Sequence, residues 1–178
     1  DNRFVSGGSS INLYNTQGSY DISQNTFLKV GAGLRKSGSA TGEFCIRLYY
    51  VAASKSSGQG ANGRIHNTVF DGCKGQSSKY ALIRIFSGDT NETVYQPQNA
   101  KLAIMYNTFK NKTQTEGTYN YLVYANQDHT TTMTIDWRWN KYDNSEMCMG
   151  FIRPSWVTYT TKGSRYFAGS QELFRLTS

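Results

Sequence analysis

Apolar and polar positions along the chain repeat one template. An apolar residue is followed three places later by a small polar residue and five places later by an aromatic. Four segments fit it: Ile22 with Asn25 and Phe27, Ile65 with Thr68 and Phe70, Ile104 with Asn107 and Phe109, and Trp137 with Asn140 and Tyr142. Three of the four run on into a turn signal, at Asp71-Gly72, Lys110-Asn111 and Asp143-Asn144. Between the copies lies a second apolar series: Phe44 to Tyr50, Tyr80 to Phe86, Tyr119 to Tyr124 and, more weakly, Met147 to Ile152. These segments are short, rich in aromatic and β-branched residues, and bounded by Gly, Ser and Asn, which is the pattern of strands. None keeps a helical period over a useful length.

Each repeat thus carries two or three short strands plus loops. A single unit cannot bury its apolar face. Stacking the units in parallel, like residue above like, supplies every strand with a hydrogen-bonding neighbour and builds one continuous core. In such a stack Asn25, Asn107 and Asn140 form a ladder, with Thr68 interrupting it. Asparagine suits a sharp bend because it tolerates left-handed backbone, and its side-chain amide can bond the coil above. The expected fold is all-β, a right-handed parallel β-helix of about four coils with long loops, in one domain over residues 1–178. An antiparallel jelly-roll sandwich also fits the strand and turn composition.

The template, Ile-x-x-Asn-x-Phe followed by Asn or Gly, resembles the coil motif of right-handed parallel β-helices of the pectate-lyase-like type. That architecture is shared by polysaccharide lyases, glycoside hydrolases and bacteriophage tailspikes. The resemblance spans residues 22 to about 152. The coils are longer than is usual there, and segments 54–63 and 87–99 hold the excess as loops. The resemblance implies a polysaccharide partner, acidic chains included, an extracellular or virion-surface setting and, as one assembly, a homotrimer. It specifies architecture more closely than activity, because one fold hosts many functions.

Composition narrows the partners. The net charge is +7, from 19 Lys and Arg against 12 Asp and Glu, a field that attracts polyanions. No run of basic residues forms a nucleic-acid footprint, so no nucleic-acid partner is expected. No apolar run approaches the ~20 residues of a membrane span. With only His66 and His129 as histidines, a His-rich zinc site is not expected, and no other cofactor is indicated. Cys45, Cys73 and Cys148 form no Cys-x-x-Cys pair and read as core thiols. The chain opens at Asp1, which fits a processed product or a segment of a longer protein.

Candidate chemistry falls on outward strand positions. Ile46, Leu48, Ile83 and Ile85 read as inward, so alternation turns Arg47 and Arg84 outward at matching places in neighbouring coils. Two guanidinium groups so close favour a shared anion such as the carboxylate of an acidic sugar. Tyr49 on the same strand and Trp139 join them as ligand-binding candidates, since aromatic rings stack on sugars. Trp137 aligns with the inward isoleucines, whereas Trp156 is free to be exposed. A lyase would need a cation and a base. Lys79 and Lys101 extend the choice of cation, and Tyr49, Tyr121 or His66 could serve as base. A hydrolase would need two carboxylates, drawn from Asp71, Asp136, Asp143 and Glu146. None of these sits in a diagnostic motif, so no catalytic residue is assigned. Polysaccharide recognition, polysaccharide cleavage and a purely structural or adhesive role are the three expectations.

Overall fold

The computed structural model describes residues 1–5, 11–14, 19–30, 45–49, 62–73, 81–86, 100–111, 121–126, 133–143, 148–152, 157–162, 165–166 and 174–177. These form three parallel sheets. Sheet A holds β1 (Arg3–Val5), β4 (Thr26–Leu28), β7 (Val69–Asp71), β10 (Thr108–Lys110), β13 (Lys141–Asp143) and β16 (Arg165–Tyr166). Sheet B holds β2 (Ile11–Tyr14), β5 (Ile46–Tyr49), β8 (Ala81–Phe86), β11 (Tyr121–Asn126), β14 (Cys148–Ile152) and β17 (Phe174–Thr177). Sheet C holds β3 (Ser19–Ser23), β6 (Asn62–His66), β9 (Ala100–Met105), β12 (Met133–Arg138) and β15 (Val157–Lys162).

The chain visits the sheets in strict rotation, and each strand pairs with the one three places on. That is a parallel β-helix, and the parallel pairing throughout the described residues excludes the antiparallel sandwich. No helix occurs among the described residues, so none is long and apolar enough to cross a membrane. The stack runs beyond the four template copies. Arg3 and Phe4 pair with Thr26 and Phe27, and Arg165 and Tyr166 pair with Lys141 and Tyr142. Asn2 and Phe4 thus repeat the polar and aromatic template positions.

The template maps onto one corner of every coil. Its apolar residue is the last but one of a sheet C strand, two residues make the bend, and its aromatic lies in sheet A. Ile22, Ile65, Ile104 and Trp137 stack inside in register. Phe4, Phe27, Phe70 and Phe109 stack ring on ring, with centroids 4.9, 5.1 and 4.9 Å apart. Tyr142 continues the column at 5.6 Å, and the Trp137 indole N–H donates to its hydroxyl. Each stacked pair contributes about 0.5–1.5 kcal/mol beyond the area it buries. Sheet B closes the core with Ile46, Leu48, Ile83 and Ile85, all fully buried. Cys45 and Cys73 are buried thiols in this core, and the Cys73 thiol donates to the Phe27 carbonyl at 3.3 Å. The side chain of Cys148 lies outside the described residues.

The polar ladder forms as expected. Asn140 Nδ2 donates to the Ile104 carbonyl at 2.9 Å, and Asn107 Nδ2 to the Ile65 carbonyl at 3.0 Å. Asn140 Oδ1 accepts from the Asn107 backbone N–H at 3.0 Å, and Asn107 Oδ1 from that of Thr68 at 3.1 Å. Thr68 keeps the chain going with its hydroxyl, which accepts from the Asn25 N–H at 3.4 Å. One expectation needs correcting. The left-handed residue of each bend is not the ladder residue but the one before it: Gln24, Asn67, Tyr106 and Trp139, with φ between 49° and 57°. The ladder residue must turn its amide inward toward the next coil, and the reversal falls on its neighbour, whose side chain is left outside.

Candidate functional site

Period-two alternation on sheet C sends one set of side chains inward and the other to solvent. The outward residues line up along the helix axis in three columns. The first is Ser19, Asn62, Lys101 and Thr134. The second is Asp21, Arg64, Ala103 and Asp136. The third, next to the bend, is Ser23, His66, Met105 and Arg138. The first two columns line a groove of about 670 Å³ that crosses four coils, a size usual for small-ligand sites. Its floor is set by the layer beneath, where Tyr20 turns inward across Gly63. A Cβ on Gly63 would stand 1.9 Å from the Tyr20 ring, so only glycine fits there. Burial pushes the Tyr20 hydroxyl pKa up.

Both carboxylates of the groove are in ion pairs. Asp21 meets Arg64 at 2.8 Å and His66 at 2.9 Å. Desolvation works against ionising Asp21. The hydrogen bonds from His66 and Ser23 and the positive charge at His66 and Arg64 outweigh it and hold the carboxyl below its ordinary range. The other ring nitrogen of His66 lies 3.0 Å from Asn67 Nδ2, so both nitrogens are engaged. At the far end Asp136 pairs with Arg138. The Arg138 guanidinium also sits 4.7 Å from the centre of the Trp139 ring.

The bend carries a second feature. Tyr106 and Trp139 occupy the left-handed position in adjacent coils, and their rings stack at 5.0 Å and 13°. Tyr106 is 51% exposed and Trp139 36%, the largest exposed aromatic surface among the described residues. Bulky side chains are uncommon with such backbone, so two in succession mark a place where exposed rings are held against a conformational cost.

The residues proposed from sequence divide between two faces. Trp139 stands at the bend, beside Arg138 and the groove, and Lys101, His66 and Asp136 belong to the same side. Arg47 and Arg84 pair in register on sheet B, as do Tyr49 and Phe86. Arg47 is half-buried between Ile46 and Leu48. The side chains of Tyr49, Arg84 and Tyr121 lie outside the described residues, as do Lys79, Glu146, Trp156 and nearly all of segments 54–63 and 87–99. Asp71 and Asp143 flank Lys110 on sheet A, and Asn111 donates to Asp71 at 2.8 Å, a turn-stabilising contact. Asp21 and Asp136 are three strand spacings apart, roughly 14 Å, beyond the roughly 5–10 Å of a hydrolase pair. No group of three or more potential metal ligands gathers among the described residues.

Asp21, Arg64 and Tyr106 were missed from sequence. Their signal lay one residue before the apolar template position and two after it, in columns that become visible once the template is extended in both directions. No protein-family model, curated protein or solved structure matches the chain.

Proposed function

We propose that this protein recognises a polysaccharide, holding the chain along the outer face of sheet C and against the Tyr106–Trp139 pair. The exposed aromatic pair at two successive left-handed bends carries this reading. Aromatic rings give the C–H faces of a sugar an apolar surface, and the adjoining groove offers charged and amide groups for the hydroxyls. The engaged nitrogens of His66 and the wide separation of Asp21 and Asp136 favour recognition over cleavage at this face.

The test is affinity for a panel of purified polysaccharides, using wild type, Tyr106→Ala and Trp139→Ala. Each variant is expected to lose about tenfold or more in affinity, on the scale of one stacked ring at 1.4 kcal/mol. Wild-type affinity in both variants would refute this site. Size analysis of the recovered glycan distinguishes binding from cleavage.

A further inference from the structure

Resting on the proposed glycan recognition at Tyr106 and Trp139, we infer that the bend carrying Trp139 adjoins an oxyanion site, and that the glycan bears a phosphate or sulfate group seated there. Three observations lead there.

The first is where the cations fall. Two register positions flank the bend: the last residue of each sheet C strand and the first of each sheet A strand. They hold no lysine or arginine in the coils of β4, β7 and β10. In the next coil they are Arg138 and Lys141, and in the one after it Lys162 and Arg165. Positive charge thus gathers at one corner of the stack, on both sides of one bend.

The second is what that arrangement costs. Backbones of neighbouring strands stand about 4.8 Å apart. Arg138 with Lys162, and Lys141 with Arg165, are like-charged partners in register, which lowers stability by Coulombic repulsion. The carboxylates on these four strands are Asp136, paired with Arg138, and Asp143, whose register neighbour is Lys110. Positive charge stays in excess, and an anion shared between the two coils offsets the repulsion.

The third is the ring. Trp139 lies between Arg138 and Lys141 in the chain, with the Arg138 guanidinium 4.7 Å from its centre. Lys141 is exposed. A sugar packed on the Tyr106–Trp139 pair therefore brings a substituent of its own ring to the cations. A phosphate or sulfate ester presents three terminal oxygens, enough to meet donors from two coils, where a carboxylate presents two. A polyuronic acid spreads its charge along the whole chain, whereas these cations are gathered at one corner.

Paired probes test this: a phosphomannan against the same glycan after enzymatic dephosphorylation, and dextran sulfate against dextran. The main variant is Lys162→Gln with Arg165→Gln, and Lys141→Gln is a second, single change. Arg3→Gln with Lys29→Gln is the control, since it removes the same net charge at exposed positions near the other end of the stack. Circular dichroism and the thermal midpoint check each fold. Wild type should bind the substituted form of a pair about tenfold tighter or more. That affinity should fall about tenfold between ~0.05 and ~0.5 M salt. The main variant should lose the preference, Lys141→Gln should lose threefold or more, and the control should keep it. Equal affinity for both forms in wild type overturns the inference, as does a preference lost equally in the control. Binding to phosphatidylserine vesicles but to neither substituted glycan overturns it too. If Trp139→Ala loses affinity for a polysaccharide that shows no preference, the oxyanion site is wrong and recognition at the rings stands. If the preference depends on Lys162 and Arg165 but not on Trp139, the oxyanion site stands and the ring reading falls.

Discussion

Asp21 shows how one side chain links the groove to stability. Its carboxyl is held below the ordinary carboxylate range by partners that exist only in the folded chain. The stabilisation is therefore present above the ordinary Asp pKa of about 3.9 and is lost as pH falls through the lowered folded value. Asp21→Asn should be less stable than wild type at neutral pH by about 0.5 kcal/mol, the scale of partly exposed pairs. The difference should close as pH drops below about 4, as read by urea denaturation across pH. Single residues were unevenly legible in the sequence. Trp137 stood out because it aligned with inward isoleucines, and Trp139 because it matched none of the template's apolar, ladder or aromatic positions. Asp21 and Arg64 did not, since a charged residue beside an apolar one is ordinary until the register shows what lies above it. Gly63 was equally silent, because its reason is a ring from another coil.

The ladder at the bend connects strands that are distant in sequence. Asn107 engages the coils on both sides: its amide reaches Ile65 and Asn140, and its carbonyl accepts from Thr68. Asn107→Ala removes these bonds and leaves the buried N–H of Thr68 without its acceptor. The expected cost is about 2–4 kcal/mol from the orphaned groups, measured as a loss in chemical denaturation. A variant within 0.5 kcal/mol of wild type would refute the ladder's structural role. The strand pairs of the corner were legible because template, ladder and aromatic column must all recur at a fixed offset. The bend itself was only half legible. Asparagine was expected to take the left-handed turn, yet inward hydrogen bonding claims it, and the turn passes to Gln24, Asn67, Tyr106 and Trp139. That displacement is what puts the two rings outside.

The stack as a whole derives its order from neighbour contacts, so each coil is stabilised by the one before and the one after. Architecture was readable because stacking imposes a repeat on the sequence. The proposed binding face was less readable: it is a property of columns, and columns exist only after the coils are set in register. Net positive charge pointed to acidic partners, whereas the groove on sheet C mixes Asp21 and Asp136 with Arg64 and Lys101, and its residues come from four coils. Glycan recognition at this face can be read from the indole N–H resonances. Trp137 holds its N–H inside against Tyr142, and Trp139 carries its ring at the surface. Titrating isotopically labelled protein with an oligosaccharide of a bound polysaccharide should shift the Trp139 indole signal and the amides of β3, β6, β9 and β12, leaving the Trp137 indole in place. A saturable titration in which Trp139 stays fixed while the amides of β5 and β8 move would place the glycan on the Arg47–Arg84 face and contradict the account.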